Sequence, residues 1–303
     1  MPFARRPRCT WQIRTRNLAL GERTLVMGVL NVTPDSFSDG GLFFDVNTAV
    51  EHALSMLDQG ADLIDVGGES TRPLSREVGS HEPISAQQEQ DRVLPVIEAL
   101  LRERPTSVLS IDTYHAETAR AAVAAGAEIV NAVSAFAWEP ALAGVCAELR
   151  CGVVLMHTRG RPSEWRSLPH LAQNEVVPLV LSGLGQSFDA AVAAGIDRNR
   201  IVLDPGYGFG KAFDNNYPLI AHQDELLAVG QPLLAGVSRK SFLGRTLAAA
   251  TPGLPDYPVT TRGNATLAAT TAVILAGASI IRVHDVRPAV EAASIADAIL
   301  AAL

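Results

Sequence analysis

The chain has 303 residues, enough for one large domain or two ordinary ones, and its hydrophobic fraction of 48% supports an extensive core. Its net charge of −7 excludes a general nucleic-acid-binding protein, because phosphate contacts require a basic surface. No apolar run approaches the roughly 20 residues of a membrane helix, so we expect no membrane partner. The three cysteines, Cys9, Cys146 and Cys151, lack metal-ligand spacing and indicate reduced thiols in a cytoplasmic protein.

Short apolar strands alternate with alanine-rich helices after a basic N-terminal segment. We assign residues 1–23 to an N-terminal extension with a strand or hairpin near Trp11–Arg14, and residues 24–303 to one domain. The predicted strands are Thr24–Asn31, Asp62–Gly67, Ser107–Asp112, Glu128–Asn131, Gly152–His157, Ile201–Asp204, Pro232–Ser238 and Ile280–His284. The predicted helices are Thr48–Gln59, Ala86–Arg104, Ala116–Ala125, Pro140–Leu149, Asn174–Ala194, Tyr217–Val229, Asn264–Ala276 and Arg287–Leu303.

Several predicted helices end at a glycine just before the next strand, where glycine readily takes the left-handed conformation that closes a helix. These glycines are Gly60, Gly126, Gly195, Gly230 and Gly277. No linker and no shift in composition marks a second domain. The alternation of strands and helices therefore predicts an α/β fold, a (β/α)8 TIM barrel. A doubly wound open sheet is the alternative, because periodicity does not reveal closure.

Nearly every predicted strand ends in a polar residue, and a barrel of this kind carries its chemistry at the carboxyl ends of its strands. Asp112, Asn131 and Asp204, which we call the acceptor set, supply carboxylates and one amide. They suit a planar heterocycle that carries several N–H donors. Each of the three can instead cap the helix that follows it.

Four basic side chains at other strand ends form an anion-binding set. Arg282 and His284 alternate on their strand, so both side chains point to the same face. Guanidinium and ammonium groups bind phosphate oxygens well. Ion pairing with neighbouring carboxylates, such as Glu69 or Asp285, is the purely structural alternative. The members of this set are Arg72, Lys240, Arg282 and His284.

The loop within Met27–Gly41 joins the end of a buried strand to a polar segment rich in hydroxyls and carboxylates. Such a loop suits a lid over a ligand or metal better than a plain connection. Asn31, with Asp35 and Asp39, can help to hold Mg2+, which prefers oxygen ligands and usually shares them with a substrate phosphate. The sequence therefore predicts a phosphate-linked magnesium site at this strand end.

Seven ordered motifs resemble those of the dihydropteroate synthases of folate biosynthesis, over about Leu25–Ala292. The resemblance implies a transferase that joins 6-hydroxymethyl-7,8-dihydropterin diphosphate to 4-aminobenzoate, giving 7,8-dihydropteroate and diphosphate through an SN1-like displacement. It also implies a (β/α)8 barrel, a homodimer, Mg2+ and a sulfonamide target. The motifs are MGVLNVTPDSFSDGG, DVGGESTRP, SIDTY, LMH, DPGYGFGK, SRKSF and IIRVHDV.

The resemblance also implies roles for individual residues. Catalysis would involve Asp112, Asp204, Lys240, Arg282 and His284. The pterin would be bound by Asp112, Asn131, Met156, Asp204 and Lys240. The diphosphate would be bound by Asn31, Thr71, Arg72, Arg282 and His284, with Asn31 also assigned to the metal. The 4-aminobenzoate would be surrounded by Thr71, Arg72, Pro73, Phe209 and Ser241.

The chain departs from the family pattern at two places. Ala132 follows Asn131 where the family usually has Asp, and Leu74 follows Pro73 where it usually has Gly, within a longer Leu74–Pro83 stretch. Two alternatives share the barrel: a pterin-binding methyltransferase, which would not need the anion-binding set, and a non-catalytic pterin-binding protein. Turnover with Mg2+ and the identity of the product distinguish these two hypotheses from a synthase.

Overall fold

Eight parallel strands close into a barrel in the computed structural model, which describes residues 3–33, 45–69, 83–251 and 257–303. Neighbouring strands follow chain order, and the last strand returns to pair with the first at Arg282 and Met27. This confirms the predicted closed barrel over the open sheet. The barrel strands are β3 (Leu25–Asn31), β4 (Leu63–Gly67), β5 (Leu109–Asp112), β6 (Ile129–Ala132), β7 (Gly152–Met156), β8 (Ile201–Asp204), β9 (Leu233–Ala235) and β10 (Ala278–Val283).

Helices surround the barrel and follow its strands. Their buried faces pack against the outward-facing strand residues in one continuous apolar layer. Gly60, Gly126 and Gly195 have φ of 103°, 116° and 96°, so they occupy the left-handed region predicted for them at the ends of their helices. The helices are α1 (Val46–Asp58), α2 (Ala86–Glu103), α3 (Ala116–Ala124), α4 (Ala141–Leu149), α5 (Gln173–Ala193), α6 (Asn216–Ala221), α7 (Ser241–Ala250), α8 (Gly263–Leu275) and α9 (Val286–Ala301).

The strands divide their residues between the inside and the outside of the barrel with a period of two. On β4, Ile64 and Val66 belong to the apolar layer under the helices, whereas Leu63 belongs to a second cluster inside the barrel. This interior cluster also contains Met27 and Ile129, near the amino ends of their strands. The lower half of the barrel interior, near the amino ends of the strands, is therefore filled with apolar side chains. The upper half, near the carboxyl ends, is left for polar groups.

An antiparallel hairpin closes the amino end of the barrel. It consists of β1 (Cys9–Gln12) and β2 (Asn17–Leu20), and it agrees with the strand or hairpin predicted near Trp11. Trp11, with 1% of its surface exposed, packs with Leu20 into the interior cluster. The Trp11 indole Nε1 donates to the Arg200 carbonyl at 2.8 Å, so the polar edge of the ring is also satisfied.

Two helical segments differ from the prediction. Helix α7 (Ser241–Ala250) was not predicted, because Gly244 and Arg245 interrupt its apolar pattern. The predicted helix Tyr217–Val229 is instead α6 followed by a 3-10 segment from Gln223 to Val229. The buried Gln223 side chain donates to the Val273 and Ala276 carbonyls and accepts from the Tyr207 hydroxyl. These long-range bonds hold the chain where the α-helix stops.

Helix α5 has the length and composition of a membrane span, contrary to the expectation that no segment would. Polar residues such as Ser182 and Gln186 interrupt its apolar residues, so a search for an uninterrupted run missed it. In the fold, α5 follows β7 in the outer ring, and its face bearing Val180, Leu184 and Phe188 is buried. Packing of this face against the fold accounts for the apolar residues on it.

The hairpin should contribute strongly to stability through Trp11. We expect Trp11→Ala to lower the free energy of unfolding by about 3–5 kcal/mol, because it leaves a cavity at the closed end of the barrel. Trp165→Ala, at a partly exposed loop position, is the matched control and should cost about 1 kcal/mol or less. Urea unfolding followed by far-UV circular dichroism measures both. Equal losses in the two variants would contradict the role of the hairpin.

Candidate active site

Polar side chains occupy the upper half of the barrel interior. They follow the apolar interior residues by two positions, so the period that buries a leucine or isoleucine at the amino end places a polar group above it. This arrangement brings polar groups from several strands together inside the carboxyl end of the barrel. The pairs of lower and upper residues are Leu63 and Asp65, Ile129 and Asn131, Val202 and Asp204, and Ile280 and Arg282; on β7 the residue above Val154 is the apolar Met156.

The Arg282 guanidinium lies between two carboxylates inside the barrel. Its Nε donates to Asp65 Oδ2 at 2.6 Å, and its Nη2 donates to Asp112 Oδ2 at 2.6 Å. Asp65 Oδ2 also accepts from Asn131 Nδ2 at 2.9 Å. The acceptor set and the anion-binding set, which the sequence separates by charge, are therefore joined in the structure by direct hydrogen bonds.

Burial and these charges shift the protonation of the site. Burial raises the pKa of Asp112 to about 7, with Arg282 opposing the shift and the Asp65 charge adding to it. Burial alone would lower the pKa of Arg282, but Asp65 and Asp112 more than offset it, so this pKa lies above its usual value. The site therefore keeps a fixed cation beside a carboxyl group that titrates near neutral pH.

Asp204 ends β8 next to Met156 of β7, and both are at least 95% buried. Its Oδ1 accepts from the Gly206 backbone N–H at 2.7 Å, which fixes the carboxyl group at the base of the following loop. Burial raises the pKa of Asp204, and this hydrogen bond opposes the shift. Nearby, the Lys211 ammonium donates to the Gly206 carbonyl at 2.7 Å and to the His157 carbonyl at 3.3 Å, so it ties the loops after β7 and β8 together.

Lys240 and Phe209 lie together above the interior cavity. The Lys240 Nζ is 4.0 Å from the centre of the Phe209 ring, a cation–π contact. The Phe209 ring also meets Trp165 edge to face at 5.5 Å. Ser241 is the first residue of α7 and is exposed, directly after Lys240. The loops after β8 and β9 thus place an aromatic face, a cation and a hydroxyl on the same rim.

His284 follows the end of β10 and contacts Ser238, from the loop after β9. The Ser238 hydroxyl lies 3.0 Å from His284 Nδ1 and accepts from the His284 backbone N–H at 3.2 Å. This contact holds the imidazole by its Nδ1 edge. Asp285 pairs with Arg239, whereas Arg282 pairs with the interior carboxylates of Asp65 and Asp112. The ion pair between Asp285 and Arg282, which the sequence allowed as a structural alternative, does not form.

Asn31 ends β3 and is half-buried at the same end of the barrel. Across the ranges that the structure describes, no three His, Cys, Asp or Glu side chains cluster to form a complete metal site. One amide oxygen at a strand end fits an ion that takes its remaining ligands from water and a substrate phosphate. Thr71, Arg72 and Pro73, together with Asp35 and Asp39, lie outside the described residues.

Sequence reasoning missed Asp65, which is fully buried and binds two of the predicted site residues. Its position within the predicted strand Asp62–Gly67 carried a usable signal. Asp65 lies two residues after Leu63, on the interior face, and a charged residue inside a buried strand requires a partner. The site residues were predicted from polar groups at strand ends, and Asp65 lies in the interior of its strand.

The departure at Ala132 falls on the other face of its strand. Asn131 points into the barrel, whereas Ala132 is 1% exposed and packs in the apolar layer under the helices. The presence of Ala132 where the family usually has Asp therefore removes no side chain from the barrel interior. The departure after Pro73 lies outside the described residues.

Comparisons with known proteins agree with this site. Residues 27–284 match the family of pterin binding enzymes. The dihydropteroate synthase of Bacillus subtilis is 41% identical over 293 residues, covering 96% of this chain and 94% of that protein. The structure of the Xanthomonas albilineans dihydropteroate synthase with 7,8-dihydropteroate is 39% identical, with a TM-score of 0.81, and covers 96% of this chain and 99% of that one. That of the Yersinia pestis enzyme with a sulfonamide drug has 39% identity and a TM-score of 0.84, covering 97% and 100%. The chain therefore belongs to the pterin binding enzymes and, within them, to the dihydropteroate synthases.

Proposed function

We propose that the upper barrel cavity joins 6-hydroxymethyl-7,8-dihydropterin diphosphate to 4-aminobenzoate, releasing diphosphate and forming 7,8-dihydropteroate. The observation that carries this assignment is the buried network in which Arg282 binds Asp65 and Asp112 beside Asn131. It places acceptors for a heterocycle next to a cation for a phosphate. A methyltransferase on the same barrel would have no use for that cation.

The pterin would lie on the acceptor set. Asp112, Asn131 and Asp204 offer oxygens to its ring N–H groups from three strands, and the buried Met156 supplies an apolar wall. Lys240, on the rim above, would complete the pocket. Since Asp112 titrates near neutral pH, its ionised form favours a pterin that carries positive charge.

The reaction would proceed by departure of diphosphate before attack of the amine. The bond that breaks joins a pterin methylene carbon to a diphosphate oxygen, and the electron-rich pterin delocalises the positive charge left on that carbon. Arg282 and His284 would stabilise the charge that develops on the departing diphosphate. The arylamine is neutral at pH 7 and needs positioning more than a strong base. Its proton leaves after the new C–N bond has formed.

The 4-aminobenzoate would bind beside the rim groups. Phe209 and Ser241 present an aromatic face and a hydroxyl, and the family resemblance adds Thr71, Arg72 and Pro73 to the residues around the ring. A Xanthomonas albilineans relative with 40% identity was solved with 4-aminobenzoic acid, and the Yersinia pestis relative with a sulfonamide drug. These complexes support 4-aminobenzoate as a substrate of this chain and a sulfonamide as one of its ligands.

Magnesium would be held by Asn31 and by the substrate. The amide oxygen of Asn31 is a suitable ligand, and Thr71 and Arg72 would bind the diphosphate beside it. When bound, Mg2+ neutralises phosphate charge and makes diphosphate a better leaving group. We also propose a cytoplasmic homodimer, on the basis of the family resemblance and of the free thiols Cys9, Cys146 and Cys151.

Removal of either cation should abolish most activity. Lys240→Ala should do so without unfolding the protein, whereas Arg282→Ala also leaves Asp65 and Asp112 without their cation and should cost stability. We expect Arg282→Ala and Lys240→Ala to lower turnover by about 10²-fold or more, because each removes a charge from the reacting groups. Arg120→Ala, at an exposed ion pair on α3, is the matched control. Dihydropteroate formation and circular dichroism measure activity and folding. Near-normal turnover in either site variant would contradict the assignment.

Asp112 should also control how stability depends on pH. Its raised pKa means that the folded protein binds this proton more tightly than the unfolded chain, so ionisation removes stability as the pH rises through about 4 to 7. Asp112→Asn does not ionise. Its stability relative to wild type should therefore increase by on the order of 4 kcal/mol between about pH 4 and about pH 7.5, because the pKa of Asp112 rises from 3.8 to about 7 on folding.

Urea unfolding at a series of pH values measures this difference. Asp58→Asn, at a carboxylate with 66% of its side chain exposed, provides the matched baseline. A stability difference between Asp112→Asn and wild type that stays constant with pH would contradict this, because it would show that Asp112 keeps an ordinary carboxyl pKa in the folded protein.

Chelation of magnesium should stop turnover. With EDTA we expect loss of dihydropteroate formation and its recovery on addition of excess Mg2+, because diphosphate departs poorly without charge neutralisation. Calorimetry should show that Mg2+ strengthens diphosphate binding by the wild type and by the exposed control Asn199→Ala, but much less by Asn31→Ala. Full activity in EDTA would contradict the proposal.

A further inference from the structure

Asp65 is the most deeply buried charge in contact with the candidate site. It lies in the middle of β4 with 0% of its surface exposed. One of its oxygens, Oδ2, accepts both from Asn131 Nδ2 and from Arg282 Nε. The other, Oδ1, is buried and has no hydrogen-bond partner among the residues that the structure describes. A single oxygen therefore links strands β4, β6 and β10.

We propose that Asp65 is a positioning residue that fixes the orientation of Asn131 and Arg282 for the pterin diphosphate. This inference rests on the substrate assignment proposed above and extends it to a residue that need not touch the substrate. Asp65 acts through two other side chains, one in each of the two sets that bind the substrate.

The contact fixes which end of Asn131 faces the cavity. A carboxylate only accepts hydrogen bonds, so the Asn131 amide must turn its NH2 group toward Asp65. Its carbonyl oxygen is then directed to the ligand, where it accepts from a heterocyclic N–H. Without the carboxylate, the amide can rotate and present a donor instead, which would face the pterin N–H groups unfavourably.

The same contact fixes the plane of Arg282. Asp65 holds Nε and Asp112 holds Nη2, so two separate carboxylates clamp one edge of the guanidinium. This leaves Nη1 as the nitrogen that neither carboxylate engages. Loss of the Asp65 contact would leave the guanidinium held by Asp112 alone and free to turn about that hydrogen bond.

A simpler account makes Asp65 only a counter-charge that allows Arg282 to be buried. The two accounts differ for Asp65→Glu, which keeps the charge but displaces the carboxylate by one methylene. If charge balance were the whole role, Asp65→Glu would retain activity. If position matters, the substitution should raise KM for the pterin diphosphate although the net charge is unchanged.

Asp65→Asn is the central variant. It nearly preserves shape, and its NH2 group can take the place of Oδ1, where no hydrogen bond to a described residue is lost. We expect KM for the pterin diphosphate to rise about tenfold or more and kcat to fall, since a charge-assisted contact to each partner is weakened. KM for 4-aminobenzoate should stay nearly unchanged. Asp62→Asn, an ion-paired carboxylate at the amino end of the same strand, is the matched control.

A rise in KM for the pterin diphosphate without a rise in KM for 4-aminobenzoate is the readout that a purely structural role would not give, and the pH profile reports the charge of Asp65. The charge of Asp65 helps to raise the pKa of Asp112, after the larger effect of burial. Its removal should shift the acid limb of the kcat/KM profile to lower pH. Wild-type turnover in the same assay tests the proposed function itself. An unchanged KM and acid limb in folded Asp65→Asn, or full activity in Asp65→Glu, would overturn the positioning role. If Asp65→Asn fails to fold, Asp65→Glu decides alone.

Discussion

The buried contact between Arg282 and the carboxylates of Asp65 and Asp112 is the interaction on which the site depends. Three charges inside a barrel lose much hydration, and this is tolerated only because their hydrogen bonds are short and direct. Closure of the barrel makes the arrangement available, since the three side chains come from β10, β4 and β5. In the proposed function the same contact would place a cation for diphosphate beside acceptors for the pterin, so the binding of the two substrate halves would be physically coupled.

The stabilising apolar packing and the candidate active site lie at opposite ends of the barrel. At the amino end, Trp11 and the hairpin cover an apolar interior that includes Met27 and Ile129. At the carboxyl end, the same strand faces carry polar groups, whose burial raises the pKa values of Asp112 and Asp204. Ionisation of Asp112, whose pKa is raised to about 7, reduces stability, and the well-packed lower half compensates for this cost.

Much of the barrel could be predicted because its signals are local. Apolar runs and helix-ending glycines identify the strands and several helix ends without knowledge of long-range contacts. Asp112, Asn131 and Asp204 were found because polar residues at strand ends converge in this fold. Asp65 was missed since its importance depends on partners that lie far away in sequence, at Asn131 and Arg282. The break after α6 likewise depends on the bonds that Gln223 makes to distant carbonyls.

In the proposed reaction, the site couples departure of diphosphate to capture of an arylamine. The most direct test supplies the purified protein with the pterin diphosphate and Mg2+, with and without 4-aminobenzoate, and measures both products. The account predicts dihydropteroate in an amount equal to the diphosphate released, and only when the amine is present. Tight pterin binding without turnover under these conditions would contradict it and indicate a binding protein on the same barrel.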